Sequence, residues 1–479
     1  MMSLTDVPAD APESFRERTT SLEKDGGRKW LYPKQPAGRF YTARTVVSVF
    51  LLAFLFGAPF IRVDGHPFML FDLIGRRFVL FGLAFFPQDF YLVVLGALTL
   101  LVSIFLFTAL FGRVWCGWLC PQTVFLEMLF RRIEYLIEGS HLRQRRLDSE
   151  PMTPAKLIKK GAKHAIFFGL SFLIGNTFLA YLIGGDELWR IVTDPPGRHV
   201  VGLAFMLLFS FLFYGVFAWF REQACIVVCP YGRYQSALMD ENTVVVTYDF
   251  KRGEPRGKLV RIDRRLRSND PLPQRGDCVD CHQCVEVCPT GIDIRNGIQL
   301  ECVNCTACID ACDAVMDKVR KPRGLIRLTS QTAVEAGLAR WITPRVIGYA
   351  AVWVLITSLF AYFLLTRPMT EVLILRQAGT VSERQANGDF INFYVLQVVN
   401  KHSYDVPVEV RLLSPRRGAV TMLGEMSSVP RLSERGGRFF LALPAEEITS
   451  ADTNVKFGVY SDGQLLKEVD TRFLALKAN

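Results

Sequence analysis

The 479-residue sequence lacks the signatures of several common activities. No GxGxxG follows a strand-like run and no P-loop is present, so the chain carries no motif for binding a nicotinamide or hydrolysing a nucleotide. No CxxCH occurs, which excludes the usual covalent haem attachment. Histidines number six and are scattered. His164 and His199 fall at opposite ends of two apolar stretches, His66 in the first connection and His141 in a basic one, so none are paired within helices to clamp a haem. No short apolar core follows Met1, so a signal peptide is not expected; residues 1–42 read as a polar, flexible cytoplasmic tail. The C-terminal hundred residues contain no cysteine, and the twelve in the chain all lie in short-spaced clusters. A secreted disulfide scaffold would spread them through its loops. The net charge of +10 comes without any RNA- or DNA-binding motif, so nucleic acid is not an expected partner.

Half of the residues are hydrophobic, which is high for a soluble chain. A helix needs about 20 apolar residues to cross a bilayer. Five stretches qualify: Ala43–Arg62, Phe90–Phe111, Ala165–Gly184, Val200–Phe220 and Val346–Thr366. A sixth, PFMLFDLIGRRFVLFGLAFFP, carries Asp72, Arg76 and Arg77. Charges at the centre of a span are costly, so this stretch is expected to lie in the interface or to re-enter. The connection Arg113–Lys163 holds ten Lys or Arg, whereas Gly185–His199 holds only Arg190 and Arg198. Basic connections stay cytoplasmic. The expected orientation has the N-terminus inside, the C-terminus outside, and both cysteine-bearing connections in the cytoplasm. After the fifth span the pattern alternates with period two, as in Asn392–Val399, Val408–Leu413, Arg438–Leu443, Val455–Tyr460 and Val469–Leu474. Turn-forming runs such as Asn387-Gly388-Asp389 and Ser461-Asp462-Gly463 separate these stretches, which suggests a β-sandwich. The expected organisation is a tail over 1–42, a four-helix membrane domain over 43–220 with the basic loop 113–163, a ferredoxin-like domain over 221–344, a fifth transmembrane helix over 345–367 and a β-sandwich over 368–479. The fold class is therefore a multidomain membrane protein.

The strongest signal is Cys278-x2-Cys281-x2-Cys284-x3-Cys288-Pro289, followed by Cys302-x2-Cys305-x2-Cys308-x3-Cys312. This is the bacterial two-cluster pattern, in which each fourth cysteine crosses to the other cluster. Cys278, Cys281, Cys284 and Cys312 are expected to hold one [4Fe-4S] cluster, and Cys302, Cys305, Cys308 and Cys288 the second. The second run has Asp313 where a proline is usual. Zinc is the alternative for paired CxxC motifs, four ligands to each metal. His282, inside the first loop, reads as structural. Two further pairs, Cys116-x3-Cys120-Pro121 and Cys225-x3-Cys229-Pro230, follow the second and fourth spans. On a helix, positions i and i+4 share a face, so each pair is expected to aim both sulfurs one way. Soft thiolates select Cu(I), zinc or iron–sulfur. Copper, a third iron–sulfur cluster and plain packing of metal-free cysteines remain the alternatives at these pairs.

Taken together these motifs resemble the FixG/RdxA/CcoG family of cytochrome cbb3 oxidase accessory proteins, which are membrane-bound polyferredoxins. The resemblance rests on RKWLYPKQPAGRFYTARTVV, FGLAFFPQDF, GRVWCGWLCPQTVFLEMLFRRIEYLIEG and REQACIVVCPYGRYQSALMDENT, with the double ferredoxin motif and the C-terminal β-domain. It implies a cupric reductase of the bacterial inner membrane that supplies Cu(I) for oxidase assembly. It further implies an immunoglobulin-like C-terminal domain outside the cytoplasm, and Cys116, Cys120, Cys225 and Cys229 as the copper-reducing or copper-binding thiols. The implied partners are the membrane, oxidase assembly and copper-delivery proteins, and an electron donor of unknown identity; homo-oligomerisation is left open. One rival is a quinol-oxidising membrane ferredoxin that feeds a periplasmic reductase, with Arg113, Trp115 and Trp118 lining a surface quinone pocket. The other is a non-enzymatic assembly factor.

Overall fold

The computed structural model describes residues 28–63, 66–72, 77–258, 275–378, 382–385, 388–424, 426–448 and 450–475. The expectations for residues 1–27, Arg76 and Asn387 therefore lie outside the described residues.

Among the described residues, five helices are long and apolar enough to cross a membrane: Arg39–Gly57, Pro87–Phe111, Pro154–Ile183, Val200–Phe220 and Pro344–Thr366. Four match the expected stretches closely. The third is longer than its apolar run and begins at Pro154, where Thr153 caps it by accepting a hydrogen bond from the Lys156 amide (3.2 Å). Proline at the first helical position costs no hydrogen bond there. The chain divides into two compact units.

The first unit comprises the residues up to Phe60 together with Leu95–Ser358. Its membrane core joins Phe125, Phe130, Phe167, Ile174 and Phe217. The third and fourth spans meet closely at Gly175, where an added Cβ would lie 3.3 Å from the backbone of Phe209 and Ser210. Small residues allow such backbone approach between membrane helices. Beneath the spans lies a nearly solvent-free ionic cluster. Arg221 grips both oxygens of Glu134 (2.6 and 2.8 Å), Arg131 bonds Glu127 (2.6 Å) and Glu222 (3.2 Å), and Lys163 bonds Glu138 (2.9 Å). Residues 28–38 are not a free tail, contrary to expectation for that part. The Lys34 amide donates to the Glu286 carbonyl (2.7 Å), Tyr135 donates to the Pro33 carbonyl (2.9 Å), and Arg28 pairs with Glu222 (3.1 Å). These bonds tie the segment to the cysteine-bearing region and to the ionic cluster at once.

The second unit comprises Ile61–Val94 and the chain from Leu359 onward. The sixth apolar stretch belongs here. It forms a three-stranded antiparallel meander, Met69–Asp72, Arg77–Leu80 and Leu83–Phe85. The reason is period-two patterning. Leu70, Val79, Ala84 and Phe86 face one side and pack with Val399 and Leu432 of the C-terminal region. Asp72 and Arg77 are register partners at the end of the ladder. The Phe81-Gly82 turn has positive φ at both residues (53° and 80°), as a tight hairpin requires.

The rest of this unit is an all-antiparallel two-sheet structure. One sheet orders Ala419–Leu423, Ser433–Leu443, Phe390–Asn400 and Thr370–Arg376; the other orders Glu409–Ser414, Asp452–Ser461 and Gln464–Leu474. Each strand expected from the alternation is present, and three further strands, Thr370–Arg376, Glu383–Arg384 and Ala419–Leu423, complete the larger sheet. Tyr394, Phe439 and Phe457 form the centre of the core, with ring centroids 5.1–5.3 Å apart. Lys401, fully buried, bonds Asp89 (2.6 Å) and Glu371 (2.7 Å), which fixes the start of the second span to the β-domain.

Candidate metal centres

The two cysteine runs adopt the same local shape. Asp280 and His282 flank Cys281 with φ of 52° and 55°, and Asn304 and Thr306 flank Cys305 with 52° and 64°. Left-handed backbone on both sides of the middle cysteine curls each loop inward. Asp, Asn and His tolerate this region better than most residues, whereas a β-branched Thr306 is held there against preference. Each loop then runs into a helix, Gln283–Glu286 or Ala307–Lys318. A short antiparallel pair, Val245–Tyr248 with Ile326–Thr329, backs both loops. Sequence reading missed these two strands because four residues are too few to display a period.

Two cavities lie between these elements. One is bordered by Cys288, Cys302, Cys305 and Cys308, with Val246 and Ile292. The other is bordered by Cys278, Cys281 and Cys312, with Tyr248 and Ile326. Cys284 borders both. Their volumes, surrounding open space included, are about 340 and 330 Å³. Cys288 of the first run borders the cavity of the second, and Cys312 of the second run borders that of the first, so each fourth cysteine reaches across between the loops. All twelve cysteines are free. Among the described residues, no three His, Cys, Asp or Glu are arranged around a single metal ion; zinc would need its thiolates about 2.3 Å from one point. The cavity walls are soft sulfur on an apolar background, which fits an iron–sulfur cubane. Burial pushes the thiols of Cys284, Cys302 and Cys312 up to about 12. Such thiols ionise only when a positive centre binds them. Arg295 bonds Asp280 (2.6 Å), Asp293 (2.7 Å) and the His282 ring (2.9 Å), so His282 belongs to a supporting network.

The CxxxCP pairs depart from the expected geometry. Neither lies on one continuous helix. Cys116 sits in the short helix Val114–Trp118, and Cys120 is already extended (φ −63°, ψ 125°) as the cap of the next helix. Cys225 lies in the turn Ala224–Val228, and Cys229 is likewise extended (φ −71°, ψ 109°) before Pro230–Leu238. The cause is the proline after each second cysteine, which disfavours helical geometry in the residue before it. The i, i+4 argument therefore fails; the thiols are near enough for Cys120, Cys116 and Cys229 to act by charge on Cys225, but among the described residues no three of them are placed around one metal ion. Burial pushes Cys225 up to about 12, and the charges of Cys120, Cys116 and Cys229 act on it in the same direction, opposed by Arg113. Burial also raises Cys116, again opposed by Arg113. Cys116 donates to Gln235 (3.0 Å), which is fully buried and donates in turn to Thr108 (3.2 Å). Gln235 was not singled out from sequence; a lone glutamine carries no motif. Arg113, expected at a surface quinone pocket, is 4% exposed and donates to the Leu300 carbonyl. Trp115 is more than one-third exposed.

Five apolar helices, two cysteine-lined cavities and an all-β domain define an integral membrane iron–sulfur redox protein. Comparison with known proteins agrees. Residues 220–331 match the family model of a 4Fe-4S dicluster domain, residues 93–147 that of a 4Fe-4S binding domain, and residues 360–475 the IG-like fold at the C-terminal of FixG. The nitrogen fixation protein FixG of Rhizobium meliloti is 33% identical over 82% of this chain and 80% of its own length. Protein RdxA of Cereibacter sphaeroides is 36% identical over 78% and 80%, and RdxB of the same organism 34% over 84% and 86%. A crystal structure of a FixG-related protein from Vibrio parahaemolyticus covers 22% of this chain and 97% of its own, at 19% identity and a TM-score of 0.19. The chain belongs to the FixG/RdxA family.

Proposed function

We propose that this chain is a cupric reductase that supplies Cu(I) for assembly of a cbb3-type cytochrome c oxidase. Cys278, Cys281, Cys284 and Cys312 would hold one [4Fe-4S] cluster, and Cys288, Cys302, Cys305 and Cys308 the other. When bound, these groups supply single electrons at a potential set by their surroundings. The substrate is Cu(II), which gains one electron and becomes Cu(I). The reading rests above all on one observation: the soft thiols of Cys116, Cys120 and Cys229 lie near enough to Cys225 to act on it by charge, and Gly117, between Cys116 and Cys120, abuts the second cysteine loop at Val303 and Cys305. Thiolates bind Cu(I) well, so the product is favoured over the reactant.

The sidedness that goes with this function puts the cysteine-bearing connections in the cytoplasm of a bacterial cell and the β-domain in the periplasm. The basic loop 113–163 supports it. So does the shared compact unit formed by the first outer connection and the C-terminal region, since five spans put those two parts on one side. Oxidase assembly and copper-delivery proteins are then the partners.

The test is anaerobic EPR of the reduced full-length protein titrated with Cu(II) beside a Cu(I)-specific chelator. The cluster signal is expected to vanish as Cu(I) appears. Serine at Cys116, Cys120, Cys225 and Cys229 should abolish that exchange and leave the ferredoxin signals in place. If the four serines leave Cu(II) reduction unchanged, the thiols have no copper role. If the clusters stay reduced beside Cu(II), copper is not the acceptor.

A further inference from the structure

The two cavities have unlike surroundings. The one bordered by Cys278, Cys281 and Cys312 reaches the surface: Cys281 is exposed and the His282 side chain is 57% exposed. Its neighbourhood is rich in carboxylates. Asp293 acts by charge on Cys284 and Asp313 on Cys312, and Asp280 lies beside His282 (3.3 Å). Arg295 acts on Cys284 against Asp293 but is shared between Asp280 and Asp293, and Arg39 pairs with Asp313 (3.6 Å), so each guanidinium there already faces a carboxylate.

The other cavity lies beside two buried guanidiniums. Arg44 is 3% exposed and acts by charge on Cys305; Arg113 is 4% exposed and acts on Cys302. Nε and Nη2 of Arg44, and Nε of Arg113, are buried donors without a protein acceptor. Such donors are costly to bury, so their placement points to an anionic group that belongs near them. Glu127 also acts on Cys305, but it is paired with Arg131 at 2.6 Å.

This second cavity is also the one next to the CxxxCP thiols. Gly117, between Cys116 and Cys120, lies backbone to backbone on the second cysteine loop. A Cβ added there would fall 2.4 Å from the Val303 carbonyl oxygen and 2.9 Å from the Cys305 amide nitrogen. Arg113 bridges the same junction, acting on Cys116 and Cys225 on one side and on Cys302 on the other.

We propose that the molecule is a directional wire, with the Cys278–Cys312 centre as the outer station and the Cys302–Cys308 centre as the inner one. Arg44 and Arg113 are positioning residues that set the inner centre at the higher potential. The inference rests on the reading that the eight cysteines hold two [4Fe-4S] clusters. A buried cation favours whichever redox form is the more negative, and low dielectric enlarges the effect. One electron from a soluble, reduced one-electron carrier enters on the exposed Cys281 side. With both clusters bound, the outer centre would pass that electron to the inner one, which the Gly117 junction places beside the CxxxCP thiols, where the acceptor would take it last.

The experiment is an EPR-monitored redox titration of the full-length protein in detergent, with dithionite as reductant. Wild type should show two midpoint potentials. Arg44→Gln and Arg113→Gln should each lower the higher one and leave the lower in place, Arg44→Lys should restore it, and Asp293→Asn should raise only the lower. Gly117→Ala, which keeps every charge, should alter the lineshape of the higher-potential signal alone, and decides the question if Arg44→Gln loses its clusters. Equal shifts of both potentials, or changes confined to the lower-potential centre, would overturn the proposal. Absence of any cluster signal in wild type would instead overturn the underlying cluster assignment.

Discussion

Replacing Glu134 by glutamine removes the anion at the centre of the buried ionic cluster beneath the spans. Burial alone would raise the Glu134 carboxyl, but the charge and hydrogen bonds of Arg221, with Lys163 and Arg131, outweigh it and hold the group down to about 2, against an ordinary 4.5. That gap corresponds to about 3 kcal/mol of folding free energy. Because the folded-state value is depressed, the contribution is complete above pH 4.5 and is lost as pH falls through 4.5 toward 2. Denaturation of the full-length protein in detergent should therefore show Glu134→Gln less stable than wild type by about 3 kcal/mol near neutrality. The difference should shrink steadily below pH 4.5. Glu134 is 4% exposed and held bidentate, so solvent screening leaves most of the effect intact. A difference under about 1 kcal/mol, the range of a surface pair, or one indifferent to pH between neutrality and pH 3, would refute the reasoning.

Three further outcomes follow from the geometry. Lys401→Met leaves Asp89 and Glu371 without their shared ammonium and should cost about 3–5 kcal/mol, read as faster amide exchange over the meander and the β-domain; exchange unchanged from wild type would show the trio to be dispensable. Gly463→Val places a branched side chain at φ 78° in the turn joining Asp452–Ser461 to Gln464–Leu474, a cost of about 1–2 kcal/mol that thermal unfolding should register. Cys308→Ser should remove one cluster EPR signal and retain the other; loss of neither would separate Cys308 from the second cavity.

Much of the molecule was legible in its residues. Runs of about 20 apolar residues without charge have few alternatives to a membrane span, and four of the five expected spans end within a few residues of the helices observed. The β-domain strands were legible because a half-buried strand must alternate. Failures occurred where period or local context was ambiguous. The sixth apolar stretch read as membrane material by composition, whereas its partner surface, Val399 and Leu432, lies more than three hundred residues away. The four-residue strands behind the cavities carry no period at all. At the CxxxCP pairs the spacing suggested a helix, and the proline that breaks it was present in the same six residues.

The sequence by itself determined the chemistry: twelve thiols in fixed spacings, with a proline after Cys120, Cys229 and Cys288, select soft metal centres because ligand type and short loop length are local properties. Only the tertiary structure decided which thiols share a cavity, that Gly117 abuts Val303 and Cys305, and that Arg44 and Arg113 are buried beside one cavity and not the other. Those are relations between residues far apart in the chain, such as Arg44 and Cys305. Burial and proximity at that range arise from packing, which no local pattern encodes.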